Sequence, residues 1–106
     1  MKQNATVPAV GQTYRADFDA FAAELTFDSA TQLTFEIVDG DGTGSTDTMP
    51  INTVEVGPGV FLVAWKETKT DAYVTHVQDY NSGEVVTSIL LDGSPMVLTG
   101  TWTKVR

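Results

Sequence analysis

The sequence predicts an all-β fold, a small antiparallel up-and-down β-barrel of about eight strands. Three observations predict it. Thr, Val, Phe, Tyr and Trp, which favour pleated surfaces, are abundant. Apolar residues recur mostly at every second position, which is the period of a strand with one buried face. Turn residues interrupt this pattern at short, regular intervals, so the strands are short and follow one another directly.

The first three strands come from alternating aromatic and aliphatic residues. Their predicted ranges are Gly11–Phe18, Phe21–Phe27 and a strand marked by Leu33, Phe35 and Ile37. The stretch Asp19–Leu25 also contains acceptable helix formers. It is short, however, and its apolar residues alternate into Phe27, so a strand with a helical turn at its start is favoured.

The remaining strands are separated by clear turn signals. A strand from about Thr48 to Val56 carries Pro50 near its start, which indicates an edge or a bend. The turn Gly57-Pro58-Gly59 follows it. The last four predicted strands are Val60–Glu67, Ala72–Tyr80, Glu84–Leu91 and Pro95–Val105. A two-sheet sandwich is the alternative architecture, but it usually needs long crossovers, and the longest non-strand segment here is the loop Asp39–Asp47.

Length and charge limit the classes of function. The 106 residues contain no linker or repeat, so we expect residues 1–10 to be an N-terminal extension and residues 11–106 to form a single barrel domain. The net charge of −8, with only six Lys and Arg residues, argues against nucleic-acid and membrane partners. The chain has no cysteine and one histidine, so we expect no metal and no cofactor. The start lacks an apolar run, so a cytoplasmic location is expected.

The strand Val60–Glu67 is the strongest candidate for a functional site. Its alternation places Phe61, Trp65 and Glu67 on one face, which should point inward, and Lys66 on the other. A carboxylate beside an aromatic wall suits proton transfer or the binding of a ligand donor. The alternative is that Glu67 is simply a polar residue at the rim of the barrel.

His76 lies on the next strand, so it is expected near Trp65 or Glu67. The facing of this strand is open, since Tyr73, Thr75, Val77 and Asp79 form one face and Val74, His76 and Gln78 the other. An inward His76 would form an acid/base pair with Glu67, and an outward one would be an ordinary surface residue.

The acidic loop Asp39–Asp47 has part of the spacing of a calcium loop. The twelfth position, which should be a bidentate Glu, is Pro50, so a flexible hairpin loop is favoured. The small residues Ala16, Ala23 and Gly100 alternate with large ones and could leave room for a ligand inside the barrel. The predicted ligand-binding residues are Tyr14, Phe18, Phe35, Phe61, Trp65, Glu67, Tyr73, His76 and Trp102.

Four short motifs resemble the MoaF-like family, relatives of molybdenum-cofactor biosynthesis protein F. They are Gly11-x-x-Tyr14, Gly59-Val60-Phe61-x-Val63-Ala64-Trp65-x-Glu67, Thr75-His76-Val77-x-Asp79 and Leu98-x-Gly100-x-Trp102. This family belongs with the calycins, the lipocalin-type barrels. The resemblance therefore implies a lumen large enough for a ligand, but it implies no reaction.

The motif Gly59–Glu67 is also similar to one in phenolic acid decarboxylases, which are cofactor-free barrels. In that family the Glu is a catalytic acid/base, and Glu67 matches it. The family's pair of tyrosines falls here at Ala16 and Phe18, and no arginine lies between Arg15 and Arg106. The groups that would bind a substrate carboxylate are therefore missing.

Three functions remain open at this point. The favoured one is a small-molecule binding protein that holds an apolar or aromatic ligand inside the barrel. The second is a cofactor-free lyase or isomerase in which Glu67 and His76 are the catalytic residues. The third is a structural module with a filled barrel that works as a dimer, and a homodimer is also expected because barrels of this type often pair.

Overall fold

A computed structural model describes all residues, 1–106. The chain forms ten strands and no helix, so none of its segments could cross a membrane as an apolar helix. The strands are β1 (Lys2–Gln3), β2 (Thr13–Asp17), β3 (Phe21–Phe27), β4 (Gln32–Gly40), β5 (Thr46–Pro50), β6 (Asn52–Gly57), β7 (Val60–Lys66), β8 (Tyr73–Asp79), β9 (Glu84–Leu91) and β10 (Ser94–Lys104).

All ten strands belong to one curled antiparallel sheet, in the order β1-β6-β7-β8-β9-β10-β2-β3-β4-β5. Most neighbours in this sheet are also consecutive in the chain, as in an up-and-down meander. The predicted all-β class is confirmed, and the sheet curls into a half-barrel rather than forming a sandwich. The stretch Asp19–Leu25 contains no helix. The strand number exceeds eight because β1 adds one and the predicted strand Thr48–Val56 is divided in two.

At the break between β5 and β6 the chain crosses from one margin of the sheet to the other. Pro50 ends β5, as the predicted bend requires, and the buried Ile51 separates it from β6. β5 pairs with β4, whereas β6 pairs with β7 at the far end of the strand order. The backbone therefore passes from the last strand of the sheet order to the strand next to the first one within two residues, which brings the two margins of the half-barrel close together without a continuous ladder.

The Asp47 carboxylate bridges the seam that this bend leaves between β5 and the β7–β8 connection. It accepts hydrogen bonds from the Thr68 backbone NH at 2.7 Å, the Thr68 hydroxyl at 2.5 Å and the Lys69 NH at 3.3 Å. Burial alone raises the pKa of the Asp47 carboxyl, but the Thr68 hydroxyl and the surrounding backbone NH groups outweigh burial and hold the pKa below its usual value. The carboxylate thus fastens the edge strand β5 to the β7–β8 connection.

Asp47→Asn is expected to lower the free energy of unfolding by about 2 kcal/mol at pH 7, because hydrogen bonds to a charged acceptor are lost and the amide NH2 faces donors. Since the folded pKa of Asp47 is lowered, its contribution is complete above the unfolded value of 3.8 and fades as the pH falls below it. Urea denaturation at pH 7 measures the effect. Asp71→Asn, a change at an exposed carboxylate of the same connection, is the control. Equal stabilities of the two variants would contradict the bridging role.

Residues 1–10, expected to be an extension, pack against the barrel. β1 pairs with β6, and Ala5, Val7 and Ala9 are buried in the core. The Thr53 hydroxyl donates a hydrogen bond to the Ala5 carbonyl at 2.6 Å, which fixes this segment against the sheet. The first ten residues therefore contribute to the same core as the strands.

One end of the barrel is filled by aromatic side chains, and we call this set the aromatic floor. Tyr14 stacks on Trp102 with ring centroids 4.9 Å apart, and Tyr80 meets both Tyr14 and Phe61 edge-on. The Phe27 ring packs edge-on against Trp102. Offset and edge-to-face aromatic pairs are favourable beyond the area they bury, so this end is a rigid plug.

The outer face of β8, β9 and β10 carries exposed apolar side chains. Tyr73 is 54% exposed, and its cross-strand partner Leu90 is 42% exposed. Val97 is 64% exposed on the neighbouring strand. An apolar outer face of this kind is what the expected homodimer would use, and the dimer stays a prediction.

Candidate functional site: a polar-lined cavity at the open end

A cavity of about 220 Å³ occupies the end of the barrel opposite the aromatic floor. Most of its walls are hydrophobic, and it opens to solvent where Asp41 and Glu67 lie. The full lining is Phe18, Phe21, Ala23, Leu25, Phe35, Ile37, Asp41, Trp65, Glu67, Val74, His76, Thr87 and Ile89.

β7 brings the indole and the carboxylate to this cavity as its alternation predicts. Phe61, Val63 and Trp65 are buried, and Lys66 is exposed. Glu67 directly follows the strand, lines the mouth and accepts a hydrogen bond from the Thr70 hydroxyl at 2.8 Å. The carboxylate therefore lies at the entrance of the cavity rather than in its interior.

His76 points inward, which resolves the facing that the sequence left open. It is 4% exposed and lies against the rings of Trp65, Phe18 and Trp102. Burial lowers the pKa of His76 to about 3, because the charged imidazolium would lose its hydration there. The ring is thus neutral near pH 7 and makes no hydrogen bond to Glu67, so the acid/base pair that an inward His76 was expected to form is absent.

A chain of hydrogen bonds along the inner face of β8 orients the imidazole. The Tyr80 hydroxyl donates to Gln78 Oε1 at 2.9 Å, and Gln78 Nε2 lies 3.2 Å from His76 Nδ1. Burial raises the pKa of the Tyr80 phenol, which keeps its donor proton in place. With the Gln78 amide oriented in this way, Nδ1 is the acceptor and the proton of the neutral ring is on Nε2.

Two residues of the cavity lining each carry a further polar atom that has no hydrogen-bond partner. The atoms are Nε1 of Trp65 and Oγ1 of Thr87, and both are buried. Thr87 lies directly opposite His76 on β9, so the three polar groups come from three adjacent strands. Unpaired buried polar groups are rare and cost free energy, so these two groups distinguish this side of the cavity from its apolar walls.

The predicted site residues divide into three groups. Five of them line the cavity: Phe18, Phe35, Trp65, Glu67 and His76. Three belong to the aromatic floor: Tyr14, Phe61 and Trp102. Tyr73 lies outside the cavity, because the register that turns His76 inward turns Tyr73 outward, where Lys66 Nζ lies 5.8 Å from its ring centre.

Thr87 was missed, although the sequence holds a signal for it. It occupies a position that alternates with Val85 and Ile89 on an otherwise apolar inner face. Of the three small residues expected to leave room, only Ala23 lines the cavity. Ala16 is fully buried elsewhere, and the space above Gly100 is filled by the Asp17 backbone.

No cluster of three or more His, Cys, Asp or Glu side chains is arranged to hold a metal ion. Within the acidic segment Asp39–Asp47, only residues 41–45 connect β4 to β5, and glycines 40, 42 and 44 take positive φ values. This geometry belongs to a tight connection, as the hairpin interpretation of that loop expected.

Comparison with known proteins identifies the fold independently. A family model described as MoaF-like matches residues 10–103. No curated protein matches the chain significantly. A crystal structure of a "putative beta-lactamase" from Burkholderia vietnamiensis superimposes with a TM-score of 0.89, at 23% sequence identity, over 95% of this chain and 99% of that chain. At this identity the likeness shows a shared fold and nothing about activity.

Proposed function

The chain belongs to the MoaF-like family, and from that premise and the open-ended cavity we propose that it is a small-molecule binding protein that holds an apolar or aromatic ligand inside its barrel. The observation that carries the proposal is the coexistence of a filled and a hollow end in one small barrel. A barrel of this size can be packed solid with side chains, so a hollow end lined by four aromatic rings suggests a retained site.

The size of the cavity supports a ligand of one or two rings. An apolar cavity of roughly 150 Å³ is known to take up benzene, so about 220 Å³ has room for a substituted ring or a fused pair. The rings of Phe18, Phe21, Phe35 and Trp65 offer faces and edges for stacking.

The two alternative functions have less support from the geometry. A lyase or isomerase would need Glu67 and His76 to act together, but His76 is oriented by Gln78 and Glu67 by Thr70. A structural module with a wholly filled barrel is not supported either, because one end of this barrel contains a cavity. The beta-lactamase description of the structural neighbour is not carried over, since Thr87 is the only hydroxyl-bearing residue in the lining. A cytoplasmic location stays a prediction.

Filling the cavity is expected to weaken binding strongly. The probe is 1-aminonaphthalene, a neutral two-ring dye whose emission changes in apolar surroundings. We expect saturable enhancement with the wild-type protein and at least a tenfold weaker affinity for Ala23→Phe, because the added ring occupies the ligand's space. Fluorescence titration measures both.

Ala20→Phe, which adds the same ring at an exposed turn position, is the matched control and should bind like the wild type. Circular dichroism checks that both variants are folded. Absence of saturable binding to the wild-type protein, or equal affinities of Ala23→Phe and Ala20→Phe, would remove the proposed site.

A further inference from the structure

Resting on the proposed function, we infer the chemical class of the ligand: a neutral aromatic carbonyl compound, such as a ketone, aldehyde or amide, whose oxygen accepts hydrogen bonds from the patch of donors formed by Trp65 Nε1–H, His76 Nε2–H and the Thr87 hydroxyl. The carbonyl end lies deep in the cavity, and the ring lies among the aromatic walls. The three following observations lead to this class.

The first observation is a pair of neighbouring donors without acceptors. The Trp65 and His76 rings lie 4.9 Å apart, and both residues line the cavity. Trp65 Nε1 is buried without a partner, and an indole NH can only donate. No protein atom accepts a hydrogen bond from His76 Nε2, since the single hydrogen bond of this ring is at Nδ1. A guest that satisfies this pair must bring an acceptor.

The second observation fixes the imidazole as a donor toward the guest. The chain from Tyr80 through Gln78 presents an amide NH to Nδ1, so the proton of the neutral ring is on Nε2. His76 and Gln78 share the inner face of β8, Tyr80 directly follows the strand, and Gln78 is fully buried. Because the buried Gln78 amide holds the imidazole in this tautomer, the Nε2–H of His76 is left to donate to another group. The unpartnered Thr87 hydroxyl beside the ring adds a third donor to the same patch.

The third observation concerns charge. No Lys or Arg lines the cavity, and the two charged residues of its lining, Asp41 and Glu67, are both acidic and lie at the mouth. The whole chain carries a net charge of −8. A carboxylate or phosphate would therefore pass two negative groups and be desolvated without a cation, which is costly. The ligand's acceptor oxygen therefore belongs to a neutral group.

The test compares acetophenone with isopropylbenzene, which has nearly the same shape but no oxygen. Both are titrated into 15N-labelled protein, and the indole NH resonances report on Trp65 and Trp102. We expect acetophenone to move the Trp65 indole NH proton resonance downfield. Isopropylbenzene should not cause this downfield shift. The imidazole 15N shifts of the free protein should show the proton on Nε2. Benzoate, which adds a negative charge to the same ring, should not bind.

Thr87→Val supplies the energetic arm of the test. We expect the ratio of acetophenone to isopropylbenzene affinity to fall by about tenfold in this variant, because one hydrogen bond to the oxygen is lost. Using the ratio cancels the different water solubilities of the two compounds. The apo variant should be at least as stable as the wild type, since an unpaired buried hydroxyl is replaced by a methyl group of the same shape. Thr75→Val, the same change on the outer face of β8, should leave the ratio unchanged.

The possible failures are distinguishable. If acetophenone and isopropylbenzene bind but the ratio is the same in Thr87→Val and the wild type, and the Trp65 indole does not shift, the ligand class is wrong while the binding function stands. A proton found on Nδ1, or binding of benzoate, also overturns the inferred class. If neither neutral compound binds, the proposed function fails together with the inference.

Discussion

Replacing Gly100 by alanine is expected to destabilise the protein by about 3 kcal/mol or more, one of the two largest effects that the structure predicts. A Cβ at this position would stand 2.1 Å from the Asp17 carbonyl oxygen and 2.9 Å from Phe18 Cδ1. The obstacle is the backbone of β2, which cannot swing aside like a flexible side chain. Gly100 therefore lets the β2 backbone cross close over β10, immediately before Phe18 enters the cavity wall.

Gly57→Ala is the matched control for this substitution. Nothing lies within 4 Å of a Cβ at Gly57, and its φ is not positive, so the change should be neutral or slightly stabilising. Thermal and urea denaturation of the two variants measure the contrast. Stabilities within 1 kcal/mol of each other would show that the close approach of β2 to Gly100 is not a constraint on the fold. If Gly100→Ala yields no folded protein while Gly57→Ala folds normally, the expectation is met.

Acidification is expected to destabilise the fold through His76, well above the pH at which the carboxylates are protonated. The folded pKa of His76 is about 3 and the unfolded value is 6.5, so between these values the unfolded chain binds a proton that the folded chain excludes. Stability contributed by the neutral ring is complete above pH 6.5 and is lost progressively as the pH falls toward 3. The expected loss between pH 7 and pH 5 is about 2 kcal/mol.

The variant His76→Phe isolates this effect. It keeps an aromatic ring but cannot titrate, so the stability difference between the wild type and the variant should fall by about 2 kcal/mol from pH 7 to pH 5. Charge repulsion among the carboxylates, which also changes with pH, is common to both proteins and cancels. Independently, the imidazole carbon-bound proton resonances should not titrate between pH 8 and pH 5. A midpoint near 6.5 would mean that the ring is exposed to water.

Much of the fold follows from local alternation. The predicted ranges Phe21–Phe27 and Glu84–Leu91 coincide with β3 and β9, because their side chains alternate between a buried and a solvated face. The pairing of β1 with β6 was not predictable in this way. β1 is only two residues long and both are exposed, so its pairing with β6 leaves no hydrophobic pattern.

The candidate site was predictable where one face was clearly apolar. Phe61 and Trp65 decided the facing of β7, and with it the positions of Lys66 and Glu67. The inward face of β8 could not be predicted, because both of its faces mix polar and apolar residues. The orientation of His76 therefore depended on tertiary packing. The hydrogen-bond chain through Gln78 could not be inferred at all, since it requires the facing to be known first.

The aromatic floor has a consequence for which substitutions this barrel can tolerate. The rings that stack at this end do not line the cavity, whereas Phe21, Ile37 and Ile89 do and belong to no ring contact of the floor. The packing of the floor and the shape of the cavity thus depend on two different sets of residues. A substitution in the cavity lining can therefore change the shape of the cavity without removing a ring contact of the aromatic floor.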